Sequence, residues 1–263
     1  MEQTTANTKP KKYEISKKIL NIVGRTNAEY GLIQEGDKVL LGLSGGKDSI
    51  LLACVLERMY RHAPFHFEFK AVTIHYGLGE NFEWLSELCT LQGIPHEICY
   101  TSIADTIKEK RREGSSYCSF CSRMRRGSLY SKALEMGYNK VAIAHHLDDA
   151  AESFFMNLTY NGALRSMPPI YRAENGIEVI RPLIHIRERQ SIDFVTSQNI
   201  LTAPDCNCPA KQPDSDKPPI ARGATKNLLT QMEATNPEFF KSLKNAFCNL
   251  HAQTFSDKQY FEH

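Results

Sequence analysis

The chain has 263 residues, of which 41% are hydrophobic and 24% are charged, an ordinary balance for a globular protein. Its formal net charge of +2 is too small to indicate a nucleic-acid partner by itself. No apolar run approaches the roughly 20 residues that a membrane-spanning helix needs, and residues 1–12 lack the apolar core of a signal peptide. We therefore expect a cytoplasmic protein with no membrane partner, in which residues 1–12 form a flexible tail.

Helical and extended apolar patterns alternate after this tail. The helices are predicted at 13–30, 49–61, 81–92, 122–136, 149–159, 187–198, 222–234 and 237–250. The strands are predicted at 38–43, 67–75, 95–100, 140–144 and 178–182. This alternation predicts a doubly wound, mostly parallel α/β sheet over 13–202. A cysteine-containing loop and a small helical extension follow over 203–263, and 160–176 is predicted to be a loop.

The hexapeptide SGGKDS at 44–49 lies between the first predicted strand and the next helix. This layout presents backbone N–H groups and a helix N-terminus to a phosphate, and glycine lets the backbone approach an anion closely. The motif adds a lysine charge and hydroxyl donors to these amides. The predicted phosphate-binding residues are Ser44, Gly45, Gly46, Lys47, Asp48 and Ser49.

The hexapeptide is not a Walker A motif, because Leu41 stands at the first glycine position and Asp48 follows the lysine. An acid in a phosphate loop repels its ligand unless a cation intervenes, so Asp48 predicts Mg²⁺. The motif resembles the S-G-G-x-D-S signature of the PP-loop ATP pyrophosphatases. That resemblance implies ATP cleavage between the α and β phosphates, transfer of AMP to a carbonyl-type oxygen and release of pyrophosphate. It also implies that adenine lies at Ile74 and His75, although His75 is equally typical of a partly buried histidine.

Basic residues are concentrated between Thr101 and Tyr130, with seven basic against three acidic side chains. Charge alone is equally typical of a phosphate-backbone contact and of a solvated helix face. The same segment contains a C-x-x-C pair, Cys118 and Cys121, just before a predicted helix. The helix dipole and the nearby arginines favour thiolates there.

A second cysteine pair lies far downstream, at Cys206 and Cys208. The spacing leaves three sites open: a structural zinc site, a dithiol that carries a persulfide, and an iron–sulfur cluster on three cysteines. The remaining four of the eight cysteines have apolar neighbours and are expected in the core: Cys54, Cys89, Cys99 and Cys248.

Residues 118–127, CSFCSRMRRG, closely resemble the C-S-x-C-S-R-x-R-R-G motif of bacterial tRNA 2-thiocytidine synthetases. The resemblance runs from Val39 to Cys208 and includes the I-R-P-L motif at 180–183 and the M-P-P motif at 167–169. It implies ATP-dependent replacement of the C2 oxygen of cytidine 32 in the tRNA anticodon loop by sulfur. It also implies a sulfur-donating partner such as a cysteine desulfurase, and it leaves a homodimer open.

The same resemblance implies a 4Fe-4S cluster on three cysteines, with an open iron for the sulfur. Cys118 and Cys121 are two of the ligands. The ungapped alignment makes Cys208 the third ligand, whereas a shift of one residue would select Cys206. Arg125 is the arginine that we expect to contact a base or a phosphate in the site.

Residues 144–152, AHHLDDAAE, follow a short strand and open a helix. Asp149 and Glu152 have the spacing of a capping box. His145 and His146 are adjacent in an extended chain and point to opposite sides, so we do not expect them to bind one metal. The segment is similar to the G-H-H-x-D-D motif of the same family, which implies that Asp149 acts at the ATP or the base and that His145 contacts the nucleotide.

Two other kinds of function remain as alternatives. One is another PP-loop tRNA enzyme, such as a uridine thiolase or a lysidine synthetase, although a lysidine synthetase has no need of the C-x-x-C pair. The other is a metal-stabilised RNA-binding protein without catalysis. The implied catalytic set argues against the latter: Lys47, Asp48, Asp149 and Arg125.

Overall fold

The computed structural model describes residues 12–110, 117–203 and 220–256. A mixed sheet with the strand order β3-β2-β1-β4-β6-β5 is its central element. Each neighbouring pair is parallel except β5 and β6, which are antiparallel at one edge. The strands are β1 (Lys38–Gly42), β2 (Glu68–His75), β3 (His96–Tyr100), β4 (Lys140–Ala142), β5 (Ile170–Arg172) and β6 (Glu178–Ile180).

Helices connect the parallel strands, as such connections require. The described helices are α1 (Lys17–Tyr30), α2 (Lys47–His62), α3 (Glu83–Gln92), α4 (Ile103–Lys110), α5 (Tyr117–Glu135), α6 (Leu147–Asn161), α7 (Glu188–Thr196), α8 (Ile220–Thr235) and α9 (Phe239–Phe247), with a 3₁₀ turn at Ala252–Thr254. None of them is long and apolar enough to cross a membrane.

Both faces of the sheet are covered, and alternation along each strand shows why. Val39 and Leu41 of β1 pack into one hydrophobic cluster, whereas Leu40 between them packs into the other. Val179 and Ile180 of β6 divide in the same way. Successive side chains of a strand point to opposite faces, so a continuous apolar run fits a strand that is buried on both sides. The predicted doubly wound α/β sheet is confirmed.

The chain divides into two compact units, Met1–His146 with Pro168–Pro218, and Leu147–Met167 with Pro219–His263. The first, called the sheet unit here, contains every described strand. The second, called the helical unit, contains α6, α8 and α9. The buried residues of its hydrophobic cluster are Leu147, Ala151, Leu229, Phe240 and Leu243. The predicted boundary at 203 stays a prediction.

Every predicted strand and helix is present, and two elements were missed. Helix α4 has eight residues, and Ile103 and Ile107 supply a short apolar stripe that polar residues interrupt. Strand β5 has three residues and pairs only with β6, so 170–172 is strand where a loop was predicted. Cys54 and Cys89 are buried and Cys99 is half-buried, but Cys248 is exposed, and its prediction as a core residue was wrong.

Candidate active site

Within the sheet unit, the phosphate loop and the two histidines of the second nucleotide motif lie at the carboxyl ends of β1 and β4. These strands are parallel neighbours, with Leu41 opposite Ala142. The strand order reverses between them, because β2 and β3 lie on one side and β6 and β5 on the other. Ligands of doubly wound sheets bind at such a switch point. The loop 44–46 after β1 and His145 and His146 after β4 therefore border one crevice.

The phosphate loop depends on its glycines. Gly45 has φ +80°, and a Cβ there would lie 3.1 Å from the Cβ of Ala203 and 3.2 Å from the ring of Trp84. Gly46 is the N-cap residue of α2 and has no side chain to cap the helix. The first backbone N–H groups of α2 are therefore the natural donors for an anion.

Two serine hydroxyls stabilise the loop from within. Ser49 is buried, and its hydroxyl donates to the carbonyl oxygen of Gly46 at 2.8 Å. Ser44 Oγ lies 3.2 Å from Ser49 Oγ and accepts a long bond from the Gly46 N–H at 3.4 Å. The contact of Ser49 with a phosphate stays a prediction, and its observed role is to shape the turn.

Lys47 lies between two carboxylates. Its Nζ is 3.0 Å from Asp48 Oδ2 and 3.1 Å from Glu188 Oε1. Burial of the ammonium lowers its pKa, but these two carboxylates outweigh burial and hold the pKa above its ordinary value. Glu188 was not among the predicted site residues. Its local signal is weak: Glu188 lies in the first turn of α7, where the helix dipole favours an acidic residue.

Asp48 has one oxygen that the protein leaves unused. Its Oδ2 contacts Lys47 and lies 3.7 Å from His146 Nε2. Its Oδ1 is buried and has no hydrogen-bond partner among the described residues. An unsatisfied buried polar atom costs about 1–3 kcal/mol, so a carboxylate oxygen in this state is a candidate ligand for a hard cation.

His145 and His75, the predicted nucleotide contacts, have different surroundings. His145 Nδ1 lies 3.1 Å from Nε of Arg181. His75 lies at the end of β2 beside the buried Ile74, and both of its ring nitrogens have partners in the protein. Nδ1 accepts from the Gly77 N–H at 3.1 Å, and Nε2 lies 3.0 Å from the carbonyl oxygen of Glu80. These bonds favour the interpretation of His75 as a structural histidine.

Arg125 lies on α5, opposite the residue that follows β2. Its guanidinium carbon is 5.5 Å from the ring centroid of Tyr76, a cation–π distance. Arg123 and Arg126 on the same helix are also exposed. The structure therefore places a basic side chain and an aromatic ring together near the carboxyl end of β2.

Of the four cysteines of the predicted cluster site, Cys121 lies fully within the described residues. Helix α5 begins at Tyr117 rather than near 122, so the C-x-x-C pair belongs to its first turns. Cys121 is half-buried and is not in a disulfide bond. The side chain of Cys118, and Cys206 and Cys208 entirely, lie outside the described residues. Within the described part of the chain, no group of three or more His, Cys, Asp or Glu side chains could hold a metal.

The segment that leads to the second cysteine pair begins at the phosphate loop. The backbone N–H of Ala203 donates to the carbonyl oxygen of Gly45 at 2.8 Å. Ala203 also limits the space around Gly45. This contact ties the end of the described sheet unit to the turn that is predicted to bind phosphate.

Asp149 in the helical unit is held by an arginine that the sequence did not indicate. Arg222 of α8 donates to Asp149 at 2.7 Å and to Glu152 at 2.6 Å. Burial lowers the pKa of the Arg222 guanidinium, but the two carboxylates raise it further, and the net shift is upward. The predicted capping box was wrong, because α6 begins at Leu147 and Asp149 lies inside it.

A family model of the PP-loop domain matches residues 12–206 of the chain. The tRNA-cytidine(32) 2-sulfurtransferase of Geobacter sulfurreducens is 41% identical over 92% of this chain and 93% of its own length. The enzyme of the same name from Chromohalobacter salexigens is 34% identical over 100% of this chain and 91% of its own length.

A solved structure extends the similarity to the fold. The U34-tRNA thiolase NcsA from Methanococcus maripaludis, solved with its 4Fe-4S cluster, has a TM-score of 0.69. The match covers 86% of this chain and 75% of the thiolase, at 22% sequence identity. At that identity the similarity establishes the fold alone.

Proposed function

This chain belongs to the PP-loop family of tRNA-cytidine(32) 2-sulfurtransferases, and we propose that it thiolates cytidine 32 of tRNA through an adenylated intermediate. The observation that carries this mechanism is the phosphate loop at the β1–β4 switch point, with Lys47 and with an Asp48 Oδ1 that finds no partner among the described residues. The proposal places the reaction in the cytoplasm, on tRNA.

The first step activates the base. The C2 oxygen of the cytidine attacks the α phosphorus of ATP, the bond from that phosphorus to the bridging oxygen breaks, and pyrophosphate leaves with the electron pair. Negative charge develops on the departing pyrophosphate, and Lys47 and the first N–H groups of α2 are placed to stabilise it. Because the pKa of Lys47 is raised, its ammonium stays charged at neutral pH.

The chemistry of Asp48 fits Mg²⁺. Its Oδ1 is a buried carboxylate oxygen without a protein partner in the described part of the chain, and carboxylate oxygen is a preferred ligand of this ion. Bound there, Mg²⁺ would neutralise charge on the ATP phosphates. Asp48 Oδ2 would at the same time keep Lys47 in place.

The second step replaces oxygen by sulfur. A sulfur nucleophile attacks C2, the C2–O bond breaks, and AMP leaves with the former C2 oxygen. The residues proposed to hold a 4Fe-4S cluster are Cys118, Cys121 and Cys208, with Cys206 as the alternative third ligand. Such a cluster would hold the sulfur nucleophile at its open iron. A cysteine desulfurase would be the source of that sulfur.

Three features support a metal site on these cysteines. The C-x-x-C pair lies in the first turns of α5, where the helix dipole favours thiolates. Cys121 is half-buried and packs against the hydrophobic cluster that contains Leu40 and Val179. Ala203, the last described residue before Cys206 and Cys208 in the chain, is hydrogen-bonded to Gly45 of the phosphate loop.

The tRNA contact is proposed for α5. A base in an anticodon loop must be splayed out to reach an active site, and arginine can stack on bases or bind phosphates. Arg125 lies over the ring of Tyr76, next to the end of the predicted adenine-binding strand. Asp149, held by Arg222, is proposed to act at the ATP or the base. A homodimer is compatible with the proposal but is not required by it.

The test measures products. Anaerobically purified protein is incubated with tRNA, ATP, Mg²⁺ and sulfide, and AMP, pyrophosphate and modified nucleosides are quantified. We expect equal amounts of AMP and pyrophosphate, and 2-thiocytidine in the tRNA. Release of ADP and phosphate would contradict adenylation. Formation of 2-thiouridine or lysidine would instead indicate one of the other PP-loop tRNA enzymes.

The third cysteine ligand needs its own pair of variants. Cys208→Ala should lose iron and thiolation together. Cys206→Ala should keep most of both, because a cluster with one open iron needs only three thiolates and Cys208 is proposed as the third. Iron and zinc are measured per chain in anaerobic preparations, and about four irons are expected. The opposite pattern would reassign the ligand to Cys206, and one zinc without iron would contradict the cluster.

A further inference from the structure

Two motifs of the sequence, M-P-P at 167–169 and I-R-P-L at 180–183, have no role in the mechanism above. Arg181 of the second motif contacts Pro168 and Pro169 of the first, and it also contacts His145. The backbone N–H of Arg181 donates to the carbonyl oxygen of Pro169 at 2.8 Å, and its Nη1 donates to the carbonyl oxygen of Pro168 at 2.6 Å. Its Nε donates to His145 Nδ1 at 3.1 Å.

The position of Arg181 is fixed on several sides. Its residue is only 6% exposed, and its guanidinium carbon lies 5.0 Å from the ring centroid of Tyr171 on β5. The Tyr171 hydroxyl is in turn 2.8 Å from the hydroxyl of Tyr130 on α5. The short antiparallel strand β5 therefore has a purpose: it supplies the aromatic surface against which the guanidinium lies.

No carboxylate forms a salt bridge with Arg181 in the described part of the chain. Burial lowers the pKa of this guanidinium, and the neighbouring Tyr171 and Tyr130 offset only part of that shift. A buried cation without an acidic partner needs its hydrogen-bond acceptors in place. Its acceptors include two neutral groups, the Pro168 carbonyl and the His145 ring.

This arrangement dictates the protonation of the histidine. An arginine side chain carries donors only. The ring nitrogen that faces Nε must therefore be an acceptor, so Nδ1 of His145 carries no proton and Nε2 carries the proton of the neutral ring. A protonated ring would set one N–H against another beside a buried cation.

We propose that Arg181 is a positioning residue that fixes the orientation and the tautomer of His145, so that His145 acts as a neutral hydrogen-bond donor through Nε2. The inference deepens the proposed function, because it gives a defined chemical state to the residue assigned to the nucleotide. A neutral N–H donor suits an oxygen of the ATP phosphates or ribose. It also means that His145 does not serve as a general base through Nδ1.

The test is a spectrum of the full-length protein without ATP, tRNA or metal. The protein is labelled with ¹⁵N at histidine, long-range ¹H–¹⁵N correlations are recorded at neutral pH, and His145→Gln identifies the signals of His145. We expect the pattern of a neutral ring with the proton on Nε2. A proton on Nδ1, or a charged ring, would overturn the proposal.

Matched variants test the part played by Arg181. Arg181→Lys keeps a positive charge but cannot reach both acceptors, so the single-tautomer pattern of His145 should be lost. Arg172→Lys, on the exposed part of β5, should leave it unchanged. Retention of the pattern in Arg181→Lys would overturn the role of Arg181. If that variant does not fold, the wild-type spectrum still decides the tautomer.

These outcomes are separate from those of the product assay. The spectrum reports the state of one ring in the unliganded protein, so it can support the tautomer even if no pyrophosphate is released. Conversely, release of AMP and pyrophosphate by a protein whose His145 is protonated on Nδ1 would retain the proposed function and reject this inference.

Discussion

Asp48 of the sheet unit and Asp149 of the helical unit come from the two nucleotide motifs, yet their carboxylates are balanced in different ways. Asp48 keeps one buried oxygen without a hydrogen-bond partner among the described residues. Asp149 accepts from Arg222 at 2.7 Å, and the same arginine binds Glu152. One oxygen of Asp48 is therefore left for a ligand while the other pairs with Lys47, whereas Asp149 already has a cationic partner in Arg222.

The difference has an energetic consequence. Leaving a buried oxygen unsatisfied lowers the stability of the free protein, and such local costs are typical of sites that are completed by a ligand. A guanidinium that binds two carboxylates instead stabilises its surroundings through charge-assisted hydrogen bonds. Substitutions at the two sites should therefore separate activity from stability.

The largest effect is expected for Asp48→Asn. The amide retains the shape of the side chain but removes the charge that would bind Mg²⁺, so pyrophosphate release should fall by roughly 100-fold or more. The thermal midpoint should change little, because loss of the ion pair with Lys47 offsets the relief of the buried carboxylate oxygen. Both quantities are measured beside Asp193→Asn, an exposed carboxylate of α7 in the same unit. Near-normal pyrophosphate release by Asp48→Asn with a lower thermal midpoint would show that Asp48 serves stability rather than activity.

A stability effect is expected for Arg222→Gln. Asp149 and Glu152 have side chains only 14% and 7% exposed, and both would lose their charged partner. The free energy of unfolding should fall by about 2 kcal/mol, the scale of a hydrogen bond to a charged group. Urea denaturation measures it.

The matched control is Lys241→Gln in the same unit. Lys241 and Glu238 are 72% and 66% exposed, so solvent screens their ion pair and the loss should be much smaller than for Arg222→Gln. Equal losses in the two variants would show that Arg222 does not stabilise the buried carboxylates.

The smallest effect concerns the thiols of the two units. Burial raises the pKa of Cys54 and of Cys89 to about 12, so neither thiol should react with iodoacetamide at pH 8 in the folded protein. Cys248 of the helical unit is exposed and should react before Cys54 and Cys89. Mass spectrometry of peptides measures the labelling, and pyrophosphate release should be unchanged after Cys248 reacts. Early labelling of Cys54 would show that the sheet unit opens readily.

The elements that position the phosphate loop could be predicted from sequence because their signals are local. An apolar run, two glycines and an apolar helix are contiguous over residues 39–56. The edge strand β5 has no such signal, since three residues form a strand only through pairing with β6. Helix α4 was missed for a similar reason, because it is short and its apolar stripe is narrow.

The partners within the site were less accessible to sequence reasoning. Glu188 meets Lys47, Arg181 meets His145 and Arg222 meets Asp149, each across a long stretch of chain. Nothing in the neighbouring residues specifies such a pair, because the fold alone brings the two side chains together. The capping box was misassigned since Asp149 and Glu152 fit that pattern, while the structure uses both to bind Arg222.

The central claim is that the phosphate loop serves the thiolation of a tRNA cytidine. The most direct measurement is mass spectrometry of tRNA nucleosides from cells without the gene, complemented with the wild-type chain or with Asp48→Asn. We expect 2-thiocytidine at position 32 to disappear in the deletion, to return with the wild-type chain and to stay absent with the variant. Unchanged 2-thiocytidine in the deletion would contradict it.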